Sequence, residues 1–406
     1  MLYKKNANPA LDPSLFRNPT SEYRCAPFWA WNDKLSAEEL TRQIDEMKEM
    51  GFGGFHMHTR SGMATPYLSE EFMNLIKVCN EKAKQEDMLA WLYDEDRWPS
   101  GAAGGIVTKD PKFREKYIRF TVRPLPEVEN NGAWSEYVGQ HHASVPHPVV
   151  KEEKTGFLEG KPYLLAAFDI VLNPNGTLKK YTMVAPGAPI QGTLWYVYAL
   201  TAGCSGWYNG QAYVDTLSNE AMQRFIEVTY HAYLNAVGDD FDKSVPAIFT
   251  DEPQYGRGAF PWSFVLERAY RERYGRELIP ELGLLYYDCE EAAPVRYRFF
   301  QMLAELFSKG YSGQISDWCA EHGIKLTGHV LFEDTMALQC KCSGNAMAFY
   351  RYMQIPETIK EIRREDIPAL SKHAAAEGNP LYPVPVLMDE KELAGMYEKI
   401  MEKGAR

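Results

Sequence analysis

The sequence predicts an α/β protein built as a (β/α)8 barrel of the TIM type, with an antiparallel β insertion after the third strand. Two observations predict the barrel: short apolar strands alternate with amphipathic helices, and the strands end in polar or aromatic side chains. A third predicts the insertion, because alternating apolar residues replace helical periodicity over residues 113–208. We therefore assign residues 1–112 and 209–406 to the barrel and residues 113–208 to a β-rich insertion.

The first strand and helix lie within residues 25–51. The aromatic run CAPFWAWN predicts a strand that carries Trp29 and Trp31 near its end. Ser36 supplies the N-cap of the following helix, and Gly51 ends it. We expect the two tryptophans to contribute to substrate binding.

A second strand is predicted over residues 52–58, FGGFHMH. His56 and His58 are two residues apart, so on a strand their side chains point to the same side. Ser69 then caps the second helix. Core packing and a site at the end of the strand are both open for the histidines, and we include them among the candidate substrate-binding residues.

The third strand lies in MLAWLYDEDRWPSGAAGG, residues 88–105. Three consecutive acids follow it, and then a tryptophan and a glycine-rich turn. A solvated charged loop would also explain the acids, but acids beside a tryptophan at a strand end favour a functional site. Asp94, Asp96 and Trp98 are therefore further candidate substrate-binding residues.

Two later strands also end in carboxylates. PAIFTDEPQ, residues 246–254, ends in Asp251 and Glu252, and IKLTGHVLFED carries His329 and Glu333 at its end. Beyond these, AFYRYMQIP and LYPVPVLM are the candidates for a sixth and a seventh strand. Because a closed barrel needs eight, we expect an atypical or truncated C-terminal end.

Glu252 and Glu333 are the predicted catalytic pair. Glycoside hydrolysis uses one carboxylic acid to protonate the leaving oxygen and a second carboxylate to activate water or attack the anomeric carbon. Adjacent strands lie about 4.8 Å apart, so the two glutamates could face one another across a sugar. Glu252 is the candidate general acid, Asp251 is expected to orient it or to bind a substrate hydroxyl, and His329 is a candidate substrate-binding residue.

Composition excludes several classes of partner. The formal net charge of -11 and the absence of a Lys/Arg cluster argue against nucleic acid, and no apolar stretch approaches a membrane span. The N-terminal segment MLYKKNANPALDPSLF has no apolar core of the kind found in secretory signals. We therefore expect a soluble, cytoplasmic protein whose partner is an oligosaccharide or glycoside substrate; the sequence does not indicate the oligomeric state.

Six motifs in order, PFWAWN, GGFHMH, TPYLSEEF, WLYDEDRWPSG, IFTDEPQ and LTGHVLFED, together resemble the catalytic barrel of glycoside hydrolase family 106, the α-L-rhamnosidases. The resemblance runs from about residue 20 to 355. It implies an inverting hydrolase of terminal α-L-rhamnosyl or similar deoxy-sugar linkages, with two glutamates as acid and base, and a calcium ion near the sugar. By motif match the glutamates are Glu252 and Glu333; the sequence does not identify the metal ligands.

Three other interpretations remain open. The first is a glycosidase specific for another sugar, since the pocket sets specificity and the barrel does not. The second is a truncated, non-catalytic barrel that binds carbohydrate. The third is a metal-dependent hydrolase, which is disfavoured because no third ligand with suitable spacing accompanies the HxH pair.

Overall fold

A computed structural model describes residues 12–125, 162–185, 187–208, 210–256, 260–333 and 335–355, and the isolated positions 368, 371, 372, 391, 394 and 395. The chain divides into two compact units, one formed by residues 5–353 and the other by residues 1–4 together with 354–406. The strands and helices given below belong to the first unit.

Among the residues that the structure describes, ten strands form two sheets of five strands each. The strands are β1 Phe28–Trp31, β2 Gly54–Thr59, β3 Leu89–Tyr93, β4 Lys116–Thr121, β5 Tyr163–Leu172, β6 Leu178–Met183, β7 Thr193–Thr201, β8 Ala247–Asp251, β9 Phe260–Trp262 and β10 Lys325–His329.

The first sheet is parallel, in the order β1-β2-β3-β8-β10. All of its strands end on the same edge, so side chains at their carboxyl ends are neighbours. The register pairs Asp251 of β8 with His329 of β10. Gly328, one residue earlier, pairs with Thr250, and only a residue without a side chain allows the two backbones to come this close.

The second sheet is antiparallel, in the order β6-β5-β7-β4-β9. Strands β4 to β7 lie between β3 and β8 in the sequence, where antiparallel strands are predicted. Strand β9 comes from the segment after β8, and it pairs with β4. The exact division at residues 112/113 and 208/209 stays a prediction.

Eleven α-helices belong to this unit among the described residues. They are α1 Pro13–Arg17, α2 Ala37–Glu49, α3 Glu70–Gln85, α4 Asn219–Phe225, α5 His231–Val237, α6 Leu266–Tyr274, α7 Gly283–Tyr286, α8 Ala292–Phe307, α9 Gln314–His322, α10 Met336–Cys342 and α11 Ala346–Tyr350. Two π-helical segments, Ile226–Tyr230 and Ser308–Gly313, join α4 to α5 and α8 to α9.

The predicted helix caps explain where several helices begin. The hydroxyl of Ser36 accepts a hydrogen bond from the Glu39 N–H, and the hydroxyl of Ser69 accepts one from the Phe72 N–H. Ser218 caps α4 in the same way. These serines satisfy N–H groups that would otherwise have no partner within the helix.

The prediction of a (β/α)8 barrel is wrong. The described parallel strands number five and form an open sheet, and the other five pair antiparallel in a separate sheet. Residues 348–350, the first three of the predicted sixth strand, are helical as the end of α11, which begins where the Asn345 side chain accepts from the Ala348 N–H. The predicted seventh strand lies outside the described residues.

Large apolar side chains from both layers fill one main core. Among the fully buried ones are Trp31, Phe55, Phe72, Phe225 and Trp262. Within the described ranges, we find no helix with the length and apolar character needed to cross a membrane.

Candidate active site

Asp251 and His329 meet at the carboxyl ends of two adjacent parallel strands. Because the register places the two residues side by side, Nε2 of His329 lies 3.0 Å from Oδ1 of Asp251. This distance is that of a charge-assisted hydrogen bond. The pair forms the centre of a group of polar side chains at this edge of the sheet.

Two further side chains, those of Tyr93 and His58, contact the carboxylate of Asp251. The hydroxyl of Tyr93, at the end of β3, donates to Oδ2 over 2.7 Å, and Nε2 of His58 lies 3.6 Å from the same oxygen. Burial raises the pKa of Asp251, but its contacts with His329, His58 and Tyr93 outweigh burial and hold the pKa below its usual range. Asp251 is therefore a fixed, ionised carboxylate.

Glu252 follows β8 directly and is half-buried. Its backbone is in the left-handed region, with φ at +50°, which is uncommon for a residue other than glycine. Its N–H donates to the carbonyl oxygen of His329 over 2.9 Å. The strained backbone turns this residue out of the strand direction, in keeping with the concentration of such strain at functional sites.

Glu333 approaches the same histidine from the segment after β10. Its Oε1 lies 3.6 Å from Nδ1 of His329, and its Oε2 accepts a short hydrogen bond from the hydroxyl of Tyr350 on α11. The side chain is exposed on one side. The structure thus brings both predicted catalytic glutamates close to one histidine.

His329 is surrounded by negative charge. Its hydrogen bond to Asp251 is the largest influence and raises its pKa, whereas burial opposes the rise. The charges of Asp251, Glu252 and Glu333 raise it further. The imidazolium form is therefore favoured more strongly than in an isolated histidine.

Asp94 lies beneath this group and is completely buried. Its carboxylate accepts hydrogen bonds from Ser100 Oγ at 2.6 Å and from the Tyr230 hydroxyl at 2.7 Å. Burial raises its pKa to about 7. Ser100 Oγ also accepts from the Asp251 N–H, so Asp94 fixes the hydroxyl that is bonded to the end of β8.

Asp96 and Trp98 lie in the turn that follows β3. Asp96 pairs with Arg97 over 2.6 Å, and burial raises the pKa of Asp96 although this ion pair opposes the rise. The neighbouring Glu95 is buried and accepts from successive backbone N–H groups of residues 101–104. Glu95 thereby organises the glycine-rich turn that carries Ser100. Roles for Asp96 and Trp98 in sugar binding stay predictions.

His56 lies on the same face of the sheet as His58, one layer further from the strand ends. Its ring stacks on Trp91 at 4.9 Å and contacts Phe28 at 4.8 Å. Its Nδ1 is buried without a hydrogen-bond partner, as is Nε1 of Trp91. Burial lowers the pKa of His56 to about 4, so this histidine is neutral at pH 7.

The neutral state of His56 predicts a loss of stability in acid. Between pH 6.5 and 4 the unfolded chain takes up a proton at this side chain and the folded chain does not, so the free energy of unfolding falls as the pH falls. We expect His56→Phe to reduce the fall between pH 7 and 4.5 by about 2–3 kcal/mol. Urea unfolding of both forms at the two pH values measures this difference. The difference between the two proteins at pH 7 gives the effect of the substitution on packing. An equal decrease in the free energy of unfolding between pH 7 and 4.5 in both proteins would contradict the neutral state of His56.

Trp29 and Trp31 lie on the opposite face of the sheet from His56. Nε1 of Trp29 donates to the side chain of Gln43 on α2 over 2.7 Å, and the ring of Trp31 packs on Phe72 of α3 at 5.7 Å. Trp31 is 1% exposed. Within the described residues these tryptophans contact helices and the core, and the structure does not bring them to the carboxylates.

Tyr93, Ser100 and Tyr350 belong to the site, although the sequence reading did not include them. A signal existed for Tyr93, because it ends the strand WLY and alternation places it on the same face as Trp91. The sequence contains no such signal for Tyr350, because this residue contacts Glu333 from α11, where the sequence pattern predicts a strand.

The calcium ion implied by the resemblance can be tested against these side chains. Asp251, Glu252 and His329 can bring one ligand atom each within 4.8 Å of one another. Calcium prefers six to eight oxygen ligands, whereas this set includes a ring nitrogen, and Asp251 already accepts from Tyr93 and His329. The set does not fit calcium, and we assign no calcium ligand within the described part of the chain.

The fold is similar to that of a glycoside hydrolase. A rhamnosidase from Novosphingobium sp. PP1Y matches with a TM-score of 0.54 and 13% sequence identity, over 90% of this chain and 51% of the rhamnosidase. The chain thus spans about half the length of that protein. No protein-family model and no curated protein matches the sequence. The likeness shows a rhamnosidase-like fold and does not show family 106 specifically.

Proposed function

We propose that the protein is a glycoside hydrolase that removes terminal α-L-rhamnosyl or similar deoxy-sugar residues with inversion at the anomeric carbon. The observation that carries the proposal is the grouping of Glu252 and Glu333 around the Asp251–His329 pair at one sheet edge. The rhamnosidase-like fold supports the same class of reaction.

Glu252 is the proposed general acid. It is half-buried, its backbone is fixed by the N–H bond to His329, and it directly follows the buried strand β8. Its proton would pass to the glycosidic oxygen as the bond to the anomeric carbon breaks.

Glu333 is the proposed second carboxylate. It is more exposed than Glu252, and the Tyr350 hydroxyl fixes one of its oxygens while the other faces His329. An exposed carboxylate is accessible to water, as an inverting mechanism requires. The ring of Phe28, which is 52% exposed and contacts the rings of His56 and His58, offers a stacking surface to a sugar.

The proposal is tested by turnover of a panel of 4-nitrophenyl glycosides that includes α-L-rhamnoside, α-L-fucoside and β-D-glucoside. We expect release of nitrophenol from the rhamnoside or another deoxy-sugar, and proton NMR of the first product should show the inverted anomer. Absence of turnover on the whole panel would contradict the proposal, and the retained anomer would contradict inversion.

The same panel is run with a chelator. Since the described side chains do not fit calcium, we expect turnover to survive chelation. Loss of turnover that added calcium restores would contradict this expectation.

A further inference from the structure

We propose that His329, oriented by Asp251, is the group that takes a proton from the attacking water, and that Glu333 stabilises the imidazolium that forms. This inference rests on the proposed glycoside hydrolase function and adds a catalytic role that the two glutamates alone do not include.

The hydrogen bond to Asp251 defines which nitrogen of His329 is the base. An ionised carboxylate only accepts, so Nε2, 3.0 Å from Asp251 Oδ1, carries the proton. In the neutral ring the other nitrogen, Nδ1, is then the acceptor. A carboxylate that holds an imidazole in one tautomer is the arrangement by which Ser-His-Asp enzymes prepare their general base.

Asp251 is itself unsuited to accept the proton from water. It is 8% exposed, and its two oxygens are engaged by His329 and by the Tyr93 hydroxyl. Its carboxylate is fixed in the ionised form by these contacts. Asp251 is therefore a positioning residue for His329.

Glu333 is placed to assist the histidine. Oε1 of Glu333 lies 3.6 Å from Nδ1 of His329, longer than a direct hydrogen bond but too short for a water molecule to lie between the two atoms. A water molecule beside them can contact both. Its other oxygen is held by the Tyr350 hydroxyl. A carboxylate at this position stabilises positive charge on the ring.

The step balances as an inverting hydrolysis. The water oxygen forms a bond to the anomeric carbon while one water proton moves to Nδ1 of His329. The glycosidic C–O bond breaks, and the carboxyl proton of Glu252 moves to the leaving oxygen. His329 ends as an imidazolium and Glu252 as a carboxylate, and proton exchange with solvent restores both.

The groups around His329 determine how this role depends on pH. The carboxylates of Asp251, Glu252 and Glu333 face the ring, and the Phe249 ring packs at 5.9 Å. Tyr93 and His58 act on it through Asp251, and Tyr350 acts through Glu333. In the active form Glu252 is protonated, so the ionised carboxylates of Asp251 and Glu333 are the groups that raise the pKa of His329. The acidic limb of the pH profile of kcat/KM should therefore lie above the ordinary histidine value of about 6.5.

His329→Ala tests the inference. We expect kcat to fall about 10²–10⁴-fold with a smaller change in KM, the acidic limb attributed to His329 to disappear, and added imidazole to restore part of the rate. A purely structural role would give neither the lost limb nor the rescue. His322→Ala on α9, where the ring stacks on Trp318, is the matched control and should leave turnover unchanged.

Asp251→Asn provides a second measurement that keeps the imidazole in place. Removal of the negative charge lowers the pKa of His329, so the acidic limb should move to lower pH. The inference is overturned if the acidic limb of the pH profile of kcat/KM does not move in Asp251→Asn and is still present in His329→Ala. That result would leave the glycosidase proposal intact. Absence of turnover in the unmodified protein on all glycosides overturns both.

Discussion

Glu252→Gln is expected to lower kcat on 4-nitrophenyl α-L-rhamnoside, or on whichever glycoside of the panel is turned over, by about 10²–10⁴-fold. The amide keeps the size and polarity of the side chain but cannot donate a proton to the leaving oxygen. KM should change much less, because the sugar contacts remain. Steady-state kinetics at the pH optimum measure both constants.

The choice of leaving group distinguishes the role of Glu252 from that of Glu333. A 2,4-dinitrophenyl glycoside departs without protonation, so Glu252→Gln should retain most of its activity on that substrate. Glu333→Gln should lose activity equally on both substrates, because its role concerns the water. Glu272→Gln, at an exposed position on α6, is the control. Equal loss on both substrates in Glu252→Gln would contradict its assignment as general acid.

Local structure could be predicted where a short stretch of sequence determines it. Ser36 and Ser69 begin helices because their hydroxyls satisfy free N–H groups, a property of a few neighbouring residues. Sheet closure is different, because it depends on which strands pair. The five parallel strands follow the predicted order in the chain, yet β9 joins the antiparallel sheet through pairing with β4, which no local pattern indicates.

The site could be predicted to the same extent. Asp251 and His329 end adjacent parallel strands, so the sequence pattern places them at one edge, and the structure pairs them. The sequence does not determine the face of the sheet on which the Trp29 side chain lies. Parallel sheets are covered on both faces, so the alternation of side chains does not show which face carries the site. Tyr350 could not be predicted at all, because its contact with Glu333 depends on the packing of α11.

Gly328→Ala is expected to be the most destabilising single change near the site. Gly328 has φ at +139°, a conformation that side chains other than hydrogen rarely adopt, and a Cβ built there would lie 1.9 Å from the backbone oxygen of Thr250. Strain of this kind costs about 1–3 kcal/mol, and the overlap with rigid backbone adds to it. We expect the free energy of unfolding to fall by about 3 kcal/mol or more, measured by urea denaturation.

Gly323→Ala is the matched control, because Gly323 also has a positive φ, +74°, but has nothing within 4 Å of the added Cβ. Its loss should be about 1 kcal/mol, the cost of holding an alanine in the left-handed region. The difference between the two variants isolates the close approach of β8 and β10. Because relief of the overlap requires these strands to separate, the distance between Asp251 and His329 would increase, and catalysis should fall with stability only in Gly328→Ala. Equal, small losses in both variants would show that β10 can shift without disturbing the pair.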